Sequence, residues 1–251
     1  MTAVDAMLYR EAKIRATNLV FIFWDVFYPL GYMLVFGVGI NAALGSPQLP
    51  QHVDYNAFFL ASVLGMASFG IAANTSWSFF LDRDNGIFFE MLTYPLSRSA
   101  YMFGKVLFTL FVSLVQTIIT LALGAALLHI HLRWERMPLT LLGMMVGTAG
   151  WFFFYSIFAL STRRNDIFNT VTSICYFVFL FASNLFYPLD PLPGWLRAAA
   201  MANPITWQID CLRWMTIGLG DASHIALEST AFILFGIACF LYAARCLQRQ
   251  E

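Results

Sequence analysis

Charge is the scarcest commodity in this chain. Only 11% of its 251 residues are Asp, Glu, Lys or Arg, against about 25% in an ordinary water-soluble domain. The 14 basic and 14 acidic side chains cancel, so no basic face is expected and nucleic acid is excluded as a partner. A Gly-x-x-x-x-Gly-Lys-Ser/Thr phosphate loop is missing, which argues against ATP hydrolysis by this chain alone. Cysteine is sparse: Cys175, Cys211, Cys239 and Cys246 form no CxxC pair, and Cys175 and Cys239 read as small core hydrophobes. His129 and His131 are two apart, share no helical face and have no third ligand nearby, so no metal site is expected. Gly37-x-Gly39 lacks the third glycine of a dinucleotide fingerprint. No Ser/His/Asp or Cys/His constellation can be read, and no internal repeat or low-complexity stretch stands out. A catalytic role and a bound cofactor are both unexpected.

Apolar residues make up 60% of the chain, gathered in runs of bilayer-crossing length. About 20 residues are needed to cross the hydrocarbon core. The runs predict an all-α polytopic membrane protein with six transmembrane helices, near 19–43, 57–80, 101–128, 139–161, 167–187 and 229–247. The whole of 1–251 reads as a single membrane domain. Arg10, Lys13 and Arg15 precede the first run, and no cleavage-like site follows it, so it reads as a retained span and not a signal peptide. Residues 1–18 read as a cytoplasmic amphipathic segment, and 45–54 as an exposed connector. The region 188–228 is broken by prolines and glycines and predicts two short helices, near 193–202 and 206–217, each too short to cross. They either lie in the outer interface or dip in as a re-entrant pair.

Six spans place both ends on one side. Of the 14 Lys and Arg residues, ten then fall on that side and four opposite. The positive-inside rule makes the ten-charge side cytoplasmic, giving an N-in, C-in topology. The central thirds of the six spans carry no charge, which argues against an ion-coupled carrier. Asp25 lies near the inner end of the first span, either solvated among headgroups or contacting a basic residue of the inner segment. Asp210 and Arg213 are three apart on one helical face, suiting either a local salt bridge or a polar contact at an exit.

The cytoplasmic stretch Asp82–Ser97 is the most informative local feature. Asp84 or Asn85 is placed to cap a short helix, and Pro95 to stop it at or before Tyr94. Ile87, Phe88, Met91 and Leu92 make an apolar face beside the charged Glu90. Such a helix either rests on the membrane surface or docks in a partner's groove.

The chain resembles the permease subunit of bacterial ABC-2 type transporters over nearly its whole length. The resemblance rests on the inner N-terminal segment, the six-span plan and a Gly-x-x-x-Glu-x-Leu-x-x-x-Pro-like spacing at Gly86, Glu90 and Leu92, with Pro95 one place early. It rests also on Ser183–Leu196 and on Asn203–Arg213, where Trp207 stands in place of a more usual tyrosine. The resemblance implies that residues 82–97 form a coupling helix on an ABC nucleotide-binding ATPase subunit, with Asp84, Gly86, Phe89, Glu90, Leu92 and Pro95 as coupling residues. It implies an outer re-entrant pair shaped by Pro188, Pro193, Asn203, Pro204, Asp210 and Arg213. Two permease copies would join two ATPase copies, which would hold ATP and Mg, in the inner membrane of a bacterium. The expected activity is export of an amphiphilic drug or lipid-like molecule, entered from surrounding lipid. Polysaccharide or lipid-linked glycan export is the alternative, and a non-transporting membrane scaffold is a reading of another class.

Overall fold

The computed structural model describes residues 3–44, 53–94 and 96–249. Every regular element among them is a helix. Helix α1 spans Ala3–Thr17. Helix α2 runs over 19–44 and alternates α-helical turns with wider π turns at Phe23–Phe27 and Met33–Val38. Pro29 explains the first of these. It has no N–H to give, and its ring would press on the carbonyl four residues back, at Asp25. A π turn just before it moves that carbonyl aside. Helix α3 is Tyr55–Asp84, α4 is Ile87–Met91 and α5 is Arg98–Leu127. A 3₁₀ turn, Trp134–Arg136, leads into α6, Met137–Ser161. Helices α7 to α10 are Asn165–Phe181, Gly194–Met201, Pro204–Thr216 and Ala222–Gln248.

Among the described residues, four helices are long and apolar enough to cross a membrane: α3, α5, α6 with its 3₁₀ lead-in, and α10. The other two expected spans are shorter as apolar helices, Phe23–Val38 within α2 and Asn165–Phe181. The 17 residues of α7 sit at the lower edge of spanning length. Its helix stops at Phe181, short of the expected Tyr187. The last expected span starts earlier than read, at Ala222 and not near 229, so the irregular region before it closes at Asp221. Of the connector read at 45–54, residues 45–52 lie outside the described residues.

Helices α3 and α6 form the centre, with α1 and α5 on one flank and α9 and α10 on another, while α2 and α7 pack more lightly beside α3. Small residues permit this. A Cβ on Gly65 of α3 would stand 2.8 Å from Ile209 of α9, and one on Gly150 of α6 would meet Phe232 of α10 at 3.1 Å. In lipid, close packing and internal hydrogen bonds hold helices together more than the hydrophobic effect does. The buried Gln208 of α9 provides such bonds. Its Nε2 donates to Ser68 on α3 at 2.7 Å, and its Oε1 accepts from Trp151 on α6 at 2.7 Å. Around Trp151, the rings of Phe69, Phe179 and Phe232 lie with centroids 4.6, 5.4 and 5.9 Å away.

Candidate functional site

The stretch expected to form a coupling helix begins where α3 ends. Helix α3 runs on through Asp84, and neither Asp84 nor Asn85 caps the next helix. Gly86 takes that position instead, with φ of 75°. This left-handed conformation is open to glycine at little cost, and it turns the chain sharply into α4. Phe88 of α4 is buried against Phe79 of α3 and Tyr101 of α5, with ring centroids 6.1 and 5.1 Å away. The opposite side of the turn is open: Phe89 is 41% and Tyr94 66% exposed, with Asp84, Glu90 and Thr93 beside them. Leu92 is half-buried and packs on the core. Pro95 lies outside the described residues.

Directly behind α4 lies an ionic group that the linear sequence does not announce. Tyr101 donates to Asp82 Oδ2 at 2.5 Å. Arg10 of α1 grips the same carboxylate through both terminal nitrogens, at 2.5 and 3.0 Å. Lys105 of α5, with no exposed surface, lies 3.0 Å from Asp82 and 2.8 Å from Glu11. Two cations and two carboxylates thus balance in a buried site, each charge hydrogen-bonded, as burial demands. Partial burial works against the Arg10 charge, but its hydrogen bonds to Asp82 and the nearby carboxylates leave its pKa above the ordinary value. The group ties α1, α3 and α5 into one unit, and Phe88 joins α4 to that unit through Tyr101.

Asp25 also finds a basic partner in the inner segment. Arg15 donates to its Oδ2 at 2.6 Å and Asn74 to its Oδ1 at 2.8 Å, and the carboxylate is buried. Of the two readings open from sequence, contact with the inner segment is the one present. Beyond it, α2 and α7 stand apart over α3 and leave a furrow of two adjoining cavities of about 390 and 350 Å³. Trp24, Tyr28, Tyr32 and Tyr176 line it with Asn74 and Thr172.

Between α7 and α8 the sequence is irregular yet buried at Ser183, Asn184 and Leu185. Buried non-helical backbone must find its hydrogen bonds within the protein. Ser62 donates to the Leu185 carbonyl at 2.7 Å, Tyr55 to that of Phe186 at 3.0 Å, and Arg213 to that of Asn184 at 2.7 Å. Arg213 is itself buried. It reaches Ser62 at 2.9 Å and Asp210 at 3.1 Å, and lies over the Phe58 ring at 3.6 Å. Asn203 caps α9 through Ile205 N and donates to the Phe179 and Ala182 carbonyls at the end of α7. Pro193 precedes α8 and Pro204 opens α9, a position where a missing N–H costs nothing. Pro188 lines a cavity of about 810 Å³ with Asp210 and Arg213. The Asp210–Arg213 pair is therefore a local salt bridge embedded in a larger backbone-satisfying cluster.

A sequence profile described as "ABC-2 type transporter" matches residues 2–217. The protein named "Putative transport permease ycf38" of Pyropia yezoensis is 23% identical over 218 residues, covering 83% of this chain and 74% of its own. The protein of the same name in Cyanophora paradoxa is 25% identical over 212 residues, covering 83% and 71%. With a profile that takes in most of the molecule, from α1 through α9, the chain belongs to the ABC-2 type transporter family.

Proposed function

We propose that this chain is the membrane permease subunit of an ATP-driven exporter, working as a pair with two nucleotide-binding subunits in the inner membrane of a bacterium. The supporting observation is the α4 turn. It exposes Phe89, Glu90 and Tyr94 at the end of the bundle while Phe88 roots it in the core. A surface built only to sit on lipid would have no use for a rigid link running inward to a buried ionic group. In this reading α4 is the coupling helix, with the topology six-span, N-in and C-in, as the charge bias favours. ATPase motion pushes on α4, and α1, α3 and α5 move with it. The chain itself does no chemistry, and ATP and Mg belong to the partner. An amphiphile entering from lipid is the substrate class we favour. Glycan export has one observation of its own, the furrow between α2 and α7, where aromatic rings alternate with amide and hydroxyl groups.

The test is purification of the tagged chain from crosslinked native membranes, identification of the bound subunits, and measurement of ATPase activity. Phe89→Ala and Glu90→Ala are the variants, because both side chains are exposed and the fold does not lean on them. An ATPase subunit that co-purifies with the parent chain, and is lost or uncoupled in the variants, supports the proposal. No ATPase partner in any preparation refutes it and leaves the scaffold reading.

A further inference from the structure

Helices α5 and α10 both lean on α6 and hardly touch one another. Between them lies a groove of about 900 Å³, which follows α5 from Ser97 to Val106 and α10 from Phe240 to Gln248. At 1.5 Å of rise per residue that is a run of about 12–14 Å, close to one leaflet of a hydrocarbon core about 30 Å thick. Phe153 of α6 forms the floor, edge-on to Phe240 with ring centroids 4.9 Å apart, and Met102, Val106 and Leu247 line the walls. Phe103 and Phe240 on its rims are 54% and 44% exposed. Both flanking helices are long and apolar enough to cross a membrane, so in a bilayer the groove opens sideways onto lipid chains.

One end of the groove is polar, and its charge has one sign. Arg98 reaches across from α5, and its Nη1 donates to the Gln248 carbonyl in the last turn of α10 at 2.9 Å. A guanidinium has five N–H donors, so most of them remain. On the same helix Lys105 is neutralised by Glu11 and Asp82, whereas Arg98 meets no carboxylate among the described residues. No Asp or Glu lines the groove. Ser99 adds an exposed hydroxyl beside Arg98, and Arg245 and Arg249 lie within a turn of Gln248. The planar fork of an arginine matches a phosphate well, and basic pockets between spanning helices suit anionic head groups. A zwitterionic head would bring an ammonium as well, and the lining holds no carboxylate to receive it.

We propose that the groove between α5 and α10 is a binding site for an anionic phospholipid, with an acyl chain along Phe153 and Phe240 and the phosphate on Arg98. The site needs no ATPase, so it stands or falls apart from the export reading and is tested on the delipidated chain alone in dodecyl maltoside. Radiolabelled phosphatidylglycerol should bind saturably. Unlabelled phosphatidylglycerol should displace it, and phosphatidylcholine or glycerol phosphate should not. Arg98→Gln should weaken binding roughly tenfold or more, the worth of one charge-assisted hydrogen bond, and Arg98→Lys should retain part of the affinity. Ala244→Trp, which fills the groove without changing charge, should weaken it too. A phosphatidylglycerol with a diazirine in its tail should crosslink on illumination to peptides covering 98–106 and 240–248, which locates the site on the unaltered chain even if the variants fail to fold. Absence of saturable binding, or equal displacement by phosphatidylcholine, overturns the proposal. So does displacement by glycerol phosphate, which would mean an anion site with no use for the tail. Crosslinks confined to other helices, or full affinity in a folded Arg98→Gln or Ala244→Trp protein, overturn it equally.

Discussion

Replacing Lys105 with methionine leaves the volume of the side chain nearly intact and removes one charge from the group behind α4. The ammonium has no exposed surface and lies 2.8 Å from Glu11 and 3.0 Å from Asp82. With an effective dielectric near 20, each contact represents roughly 6 kcal/mol of attraction before desolvation is subtracted. The buried group is neutral with Lys105 present and carries one net negative charge without it. Breaking a buried pair from one side costs about 3–5 kcal/mol, because the orphaned charge stays behind. Lys105→Met should therefore destabilise by that amount. Adding Glu11→Gln restores neutrality, leaving Arg10 with Asp82, and should recover at least about 2 kcal/mol, a coupling typical of groups in one network. Denaturation in a fixed detergent, followed by tryptophan fluorescence across the four proteins of the cycle, measures this. Additive losses with no recovery, or a single variant within about 0.5 kcal/mol of the parent, would show that the charges are solvated independently and that α1 is not locked to α5 by them.

Gly86→Ala should cost about 1–2 kcal/mol, the penalty for a left-handed residue with a Cβ, since nothing lies within 4 Å of the added methyl to oppose it sterically. Asparagine, which tolerates that conformation better, should cost less at the same position, and the same denaturation assay ranks the two. Asn203→Ala removes a cap worth about 0.5–2 kcal/mol and strips donors from two carbonyls at the end of α7. It should loosen the junction of α7 and α9 selectively, read as faster amide exchange at the start of α9 than in α5.

The long helices were legible because their apolar runs are uninterrupted and lipid-length, and α3, α5 and α6 begin within three residues of where hydropathy places them. The start of α10 was hidden. Gly218, Gly220 and Asp221 signal a stop, and Ser223, His224 and Glu228 look like loop, whereas in the fold they form the polar first turns of a long helix. The short helices on either side of Asn203 were readable from their prolines. The ionic group was not, because Arg10 and Asp82 are 72 residues apart and Glu11 and Lys105 are 94 apart. Periodicity carries no information about such pairs, and each residue alone reads as an ordinary interfacial charge. Asp84 and Asn85 looked like caps by residue type, but the α-helix continues past the point where a cap is needed, and the turn is made by Gly86 alone.

The irregular stretch after α7 also constrains the order in which the molecule is assembled. Its carbonyls at Asn184, Leu185 and Phe186 take their donors from Arg213, Ser62 and Tyr55. Two of those donors sit on α3, made early in synthesis, and one on α9, made after the stretch itself. Until residue 213 has emerged and swung back, the carbonyl of Asn184 has only water to bond with, and the stretch must wait at the membrane surface. This end of the bundle is then the last part to close, and a chain truncated before α9 should be inserted but left ajar, a natural substrate for membrane quality control.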